Sequence, residues 1–405
     1  MPLKLPMIKF FIIAGEASGD LLGSKIITEL QERAKKSKQK FEFVGVGGDL
    51  MKSQGLKSIF AMEELSVMGF SEVVPHIPRL LKRINQTVQF IKKEKPHHII
   101  TIDSPDFCFR VVKKLKSEYS KSSELFQKFS NIKKTHLIAP SVWAYREKRA
   151  QKIARLYDLL LAILPFEPPY FEKYSLKTVF IGNPVVEKSP DFAKKEVLNK
   201  KFRQKYKIKT DDILIYITPG SRNGEVKRIF PEFIKAISLL SKTYPNIKIA
   251  IPLVAKTSDL VRRMSQKLVV NYQLIDSKEK ESALFAANFA LAKSGTNTIE
   301  ISLYQIPMII AYKVSFFTYI LAKILLKVKF ANLINLILNK EVIPEMIQKN
   351  CRGTKICNEL LKLVGSSKAS QQQIDDSKIS LNILGLNSKI SSTKKCVNAI
   401  LDYEK

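Results

Sequence analysis

Short apolar runs without polar alternation recur along this chain, and between them apolar residues return at helical spacing. Runs of this kind mark strands buried on both faces of a parallel sheet. The first, residues 8–14, ends at Gly15-Glu16-Ala17-Ser18-Gly19-Asp20 and leads into a helical pattern over residues 21–34. Gly15 and Gly19 let this loop run close to a ligand, and Ser18 and Asp20 are suited to capping the helix. Further strands are predicted at 41–46, 98–103, 135–138, 159–164 and 178–181, completing a first α/β half that leaves at Gly182-Asn183-Pro184-Val185. A lysine-rich helical connection over 187–212 leads to a second half with strands at 213–218, 248–254, 273–275 and 287–292. The expected class is α/β, with domains over 1–186 and 187–364 and a Ser/Lys-rich segment with a final helix over 365–405. No internal repeat stands out.

Candidate chemistry gathers where strands end. Ser294-Gly295-Thr296-Asn297-Thr298 lies between an apolar run and a helical pattern from Ile299, so it reads as strand, tight turn and helix start. Backbone N–H groups at a helix N-terminus favour an anion, hydroxyls add donors, and Glu300 in the first turns suits a ribose diol. An ordinary capped turn has the same local pattern. Pro219-Gly220-Ser221-Arg222 offers a second backbone cradle with a forked cation for a pyrophosphate. Asp103 and Asp106 stand at a strand's C-terminal end, where open α/β sheets bind ligands, although turn capping explains either carboxylate equally. Residues 140–149 place the single tryptophan, Trp143, beside Tyr145, Arg146, Lys148 and Arg149, a set suited to stacking on a ring and pairing with phosphate. These constellations describe a two-domain, nucleotide-dependent transferase with a cleft between its halves.

Composition sharpens this picture. The chain has 405 residues, 45% of them hydrophobic, which suits two globular domains at about 150 residues each. Lys and Arg number 68 against 37 Asp and Glu, a formal charge of +31, so the surface attracts polyanions. The lysines are spread evenly, with no zinc-finger spacing, RNP-like motif or compact arginine cluster, which sets nucleic acid aside as a partner. Four cysteines without a CxxC pair indicate reduced thiols, and His76, His97, His98 and His136 form no ligand motif, so no metal is expected. The apolar run near the N-terminus is too short for a signal peptide, and no uncharged run reaches the roughly 20 residues of a transmembrane helix. The expected location is cytoplasmic, with membrane contact. Residues 62–92 and 315–338 are apolar and flanked or interrupted by cations, which suits an interface or an acyl chain; for the first, a core helix is the alternative. Residues 365–395, rich in Ser, Lys and Gln, read as a mobile or weakly helical surface segment.

Several motifs occur in a fixed order: AGEASGD at 14–20, MGFSEV at 68–73, IDSPDF at 102–107, PSVWAYREKR at 140–149, LPFE at 164–167, PGSR at 219–222 and SGT at 294–296. With PM and AY at 307–312, they make the chain resemble the lipid A disaccharide synthases, inverting glycosyltransferases of Gram-negative bacteria with two Rossmann-like domains facing across a cleft (GT-B type). The resemblance implies transfer from UDP-2,3-diacylglucosamine to 2,3-diacylglucosamine 1-phosphate, giving UDP and the β-1,6-linked disaccharide 1-phosphate at the cytoplasmic face of the inner membrane, with no cofactor. It implies Asp103 as base and Arg222 at the phosphates. Gly220, Ser221, Ser294, Gly295, Thr296, Glu300 and Asn335 would hold the UDP-sugar, and Glu16, Ser18, Met68, Arg146 and Arg149 the acceptor or its phosphate. No Asp-x-Asp motif is present, so helix dipoles and cations would take a metal's place at the diphosphate. A homodimer is also suggested. The family's common Gly-His turn is Gly182-Asn183-Pro184 here, and Ile334 replaces a usual proline before Asn335. Another UDP-sugar enzyme of the same fold, such as an epimerase, and a basic binding protein with a retired active site are the competing readings.

Overall fold

The structure, a computed structural model, describes residues 7–65, 77–325 and 328–403. It divides into two compact units: residues 1–184 with 388–405, and residues 185–387. Each is built on a wholly parallel sheet, as continuous apolar strands require.

Unit 1 holds seven strands, β1 (Met7–Ala14), β2 (Lys40–Val46), β3 (Lys57–Ser58), β4 (His98–Ile102), β5 (Lys133–Leu137), β6 (Leu159–Ala162) and β7 (Lys177–Phe180), in the order β3-β2-β1-β4-β5-β6-β7. Phe10 to Ala14 and Ile99, Ile100 and Ile102 are fully buried, and β1 pairs with β4 in a register that sets Ile12 opposite Ile100. The order reverses between β1 and β4, the switch point where such sheets open a crevice.

Unit 2 holds β8 (Ile213–Thr218), β9 (Ile247–Pro252), β10 (Asn271–Ile275), β11 (Phe289–Lys293), β12 (Met308–Tyr312) and β13 (Glu345–Ile347), in the order β10-β9-β8-β11-β12-β13. Its switch point lies between β8 and β11, where Leu291 sits opposite Ile217.

Four expectations change. The helix Lys195–Lys205 is no free connection: Phe202 is buried in unit 2, and Arg203 donates to the Ala286 carbonyl and the Asn288 side chain. The first helix starts earlier than its apolar pattern, spanning Ala17–Ser37, and Asp20 does not cap it. The Asp20 carboxylate instead accepts the N–H groups of Gly48, Leu50 and Met51, capping the short helix Asp49–Ser53 across the loop. The polar stretch after residue 365 contains a 17-residue helix, Ser367–Ile383, whose buried Gln373 accepts from the Met308 N–H and whose Ser380 donates to the Ile334 carbonyl. The last helix, Ser392–Asp402, returns to unit 1, where Asn398 accepts from Arg33. Finally, residues 333–338 of the expected interfacial stretch form a helix anchored in unit 2, with Ile334 and Asn335 buried. Among the described residues no helix is long and apolar enough to cross a membrane.

Candidate active site

In unit 1 the loops at the C-terminal ends of β1, β4 and β5 come together. Asp103 and Ser104 follow β4 with φ of 50° and 44°, both in the left-handed region, and Ile138 after β5 has φ 73°. Such conformations in non-glycine residues, above all a β-branched one, mark strain held by surrounding structure. Burial raises the Asp103 carboxyl above its ordinary range, against a backbone hydrogen bond from Ser104 that lowers it. Gly15 is required here because a Cβ would stand 2.3 Å from the Ser104 hydroxyl, so the β1 loop lies directly on the β4 loop. On the β1 loop, Glu16 is half-buried and Ser18 exposed.

The 140–149 loop is tied to the same place. Arg149 donates to Asp106 at 3.2 Å and lies over the Phe109 ring, while Arg146, exposed and at φ 56°, stacks on Tyr145. Beneath the loop, buried Glu167 accepts from Trp143 Nε1 at 3.2 Å and from the Leu164 N–H at 3.0 Å. Burial pushes its carboxyl up to about 7. Glu167 had no role from sequence, although it stands in the LPFE motif. Met68 lies outside the described residues.

In unit 2 the turns after β8 and β11 flank the switch point and are laced together. Asn297 Nδ2 donates to Thr218 Oγ1 at 2.7 Å, and Lys293 pairs with Glu225 at 3.1 Å. Gly220 has φ 135°, a region closed to other residues, and Glu225 accepts the Ser221 N–H. The turns open the helices Asn223–Leu240 and Asn297–Leu303, so their first N–H groups point outward beside two ammonium groups. A pocket of about 560 Å³ is lined here by Gly220, Ser221, Gly295, Thr296, Asn297 and Glu300, with Lys280, Lys293 and Tyr216. Lys280 holds Glu300 at 2.6 Å.

The remaining expected nucleotide residues stand elsewhere. Ser294 is buried, and its hydroxyl donates to the Ala331 carbonyl. Arg222 is an exposed N-cap residue outside the pocket lining. Asn335, expected at the UDP-sugar, is 0% exposed and saturated by protein groups: Nδ2 donates to the Ile343 carbonyl and Glu345, and Oδ1 accepts the Val342 and Ile343 N–H groups. Glu345 also accepts the Ala331 and Asn332 N–H groups, and Asn332 donates to Thr298. This buried network holds the Ser294 turn from behind. Lys280, Lys293, Asn297 and Glu225 had no role from sequence, although Lys293 directly precedes Ser294 and Asn297 lies inside the 294–298 turn.

Two wholly parallel α/β units, one carrying an anion-type pocket at its switch point, define the GT-B fold class, which glycosyltransferases share with UDP-sugar epimerases. Solved structures agree on the fold: a UDP-GlcNAc 2-epimerase from Neisseria meningitidis bound to UDP-GlcNAc (TM-score 0.61, 14% identity, 98% of this chain and 99% of that one) and MurG from Acinetobacter baumannii (0.57, 11%, 98% and 100%). Sequence relatives narrow the class. Lipid-A-disaccharide synthase from Rickettsia prowazekii is 39% identical over 387 residues, 95% of this chain and 96% of the relative. The enzyme of the same name from Rhodospirillum centenum is 36% identical over 366 residues, 90% and 87%. The family model for lipid-A-disaccharide synthetase matches residues 10–401, and the chain belongs to that family, glycosyltransferases of lipid A biosynthesis.

Proposed function

We propose that the chain joins UDP-2,3-diacylglucosamine to 2,3-diacylglucosamine 1-phosphate, releasing UDP and forming the β-1,6-linked disaccharide 1-phosphate with inversion. The observation that carries this reading is the pair of cross-linked turns at the β8/β11 switch point, which aims helix N-terminal N–H groups and Lys293 into one pocket. That arrangement suits a diphosphate leaving group, whose charge grows as the C1–O bond to UDP breaks. Gly220, Ser221, Gly295 and Thr296 would take the diphosphate, with Arg222 reaching it from outside the lining, and Glu300 would accept from the ribose diol. In unit 1, Asp103 would remove the proton of the acceptor C6 hydroxyl as the new C1–O6 bond forms. Its partial burial supports the role by bringing a carboxyl's proton affinity nearer that of a working base. Glu16, Ser18, Met68, Arg146 and Arg149 are assigned to the acceptor and its 1-phosphate.

Both substrates carry acyl chains, so the enzyme works as a peripheral protein at the cytoplasmic face of the inner membrane, drawn there by its net charge of +31. The helix Ile77–Glu94 supports this by exposing Ile77 and Leu81 beside Arg79 and Lys82, and Phe316–Leu325 exposes Ile320 and Leu325. A homodimer is part of the proposal. The test is to supply both substrates in detergent micelles and measure UDP release, disaccharide mass and the configuration of the new linkage. Disaccharide with a β linkage, equimolar with UDP, is expected; UDP without disaccharide, or an α linkage, would overturn the reading.

A further inference from the structure

Tyr216, in the middle of β8, is 1% exposed, and its hydroxyl has no hydrogen-bond partner among the described residues. Burying a donor without a partner costs folding free energy, so an orphan of this kind calls for a reason. The Tyr216 side chain lines the unit 2 pocket together with Glu300 and Ile301. Burial, with the Glu300 carboxylate adding to it, holds the phenol protonated far above its ordinary range, so it is a donor at any working pH.

Depth along the strand says which part of a ligand it would meet. Residues 216 and 218 face the same side of β8, and at about 3.3 Å per residue Tyr216 lies roughly 7 Å below Thr218. Thr218 marks the level of the turns, since its hydroxyl accepts from Asn297. The N–H groups fit for a diphosphate therefore stand at the rim, where Pro252 is level with Thr218 and begins the apolar wall of Pro252, Leu253 and Val254, and Tyr216 lies deeper, near Glu300, the residue assigned to the ribose diol. Resting on the nucleotide reading of this pocket, we infer that the Tyr216 hydroxyl donates a hydrogen bond to the nucleoside half of bound UDP and so selects for ligands that carry a nucleoside.

The test titrates UDP, UMP and inorganic pyrophosphate into the wild-type chain and Tyr216→Phe by calorimetry. The dissociation constants for UDP and UMP should rise about 2- to 13-fold in the variant, the range of one hydrogen bond, while that for pyrophosphate stays put. The variant's melting temperature should be unchanged or higher, because an unpaired buried hydroxyl has been removed. Unaltered UDP affinity would overturn the inference and leave Tyr216 a packing residue, as would an equal loss for pyrophosphate. Wild-type protein that binds UDP no better than pyrophosphate would sink the nucleotide reading first, and this inference with it.

Discussion

Replacing Asn335 with Ala separates a brace from a ligand. The side chain is completely buried and makes four hydrogen bonds, two as donor and two as acceptor. Truncation strips the Val342 and Ile343 N–H groups and the Ile343 carbonyl of this partner, and removes one of the donors to the Glu345 carboxylate. At about 1 kcal/mol net for each bond, unit 2 should lose roughly 3–4 kcal/mol of stability, at the upper end of single-residue effects. Asn335→Asp should also destabilise, because it keeps the two acceptor bonds but sets a second carboxylate 2.9 Å from Glu345. The assay is urea unfolding, with the loss confined to the transition of residues 185–387, alongside UDP titration of whatever remains folded. A direct ligand behaves differently: stability within about 0.5 kcal/mol of wild type and a large loss of UDP affinity. That outcome would refute the assignment.

Other consequences follow from the same geometry. Glu167, raised by burial from 4.5 to about 7, binds a proton in the folded state that the unfolded chain releases, so its contribution to stability is full below about pH 4.5 and is lost as pH rises to about 7. Glu167→Gln should remove roughly 3 kcal/mol of that pH dependence from unit 1, read as the difference between the two proteins' denaturation profiles; parallel profiles would contradict it. Gly220→Ala would force a Cβ to 2.7 Å from that of Glu225 at a φ of 135°, and UDP affinity should fall at least about tenfold with unit 1 intact, as expected when a strained residue distorts a turn. Calorimetry showing wild-type affinity would contradict that. Vesicles with anionic lipid should carry the protein to the top of a flotation gradient at low salt, with release as salt shortens the Debye length. No flotation at low salt would sink the membrane proposal.

Much of the fold was legible because a buried parallel strand writes itself locally, as residues 8–14 and 213–218 do. β12 was not assigned, although Gln305 and Pro307 separate Met308–Tyr312 from the preceding helix, and β13 is only three residues long. The helix Ser367–Ile383 reads as solvated surface because its anchors are polar: Gln373 bonds to a backbone N–H 65 residues away, and nothing local signals that. The same blindness affects the site. A saturated Asn335 and a ligating one look identical in a sequence, as do an Asp20 that caps its own helix and one that caps another. The turns at 219–222 and 294–298 were legible, but their cross-links, Lys293 to Glu225 and Asn297 to Thr218, exist only once the strands order β8 beside β11.

Asp103, the proposed base, is central to the proposed transfer, and the disaccharide-forming rate of Asp103→Asn beside wild type tests it most directly. Asparagine tolerates the left-handed φ of 50°, so folding and UDP affinity should be kept. Turnover should fall on the order of 100-fold or more, as when a general base is removed. Near-normal turnover in the folded variant would contradict the mechanism at its centre.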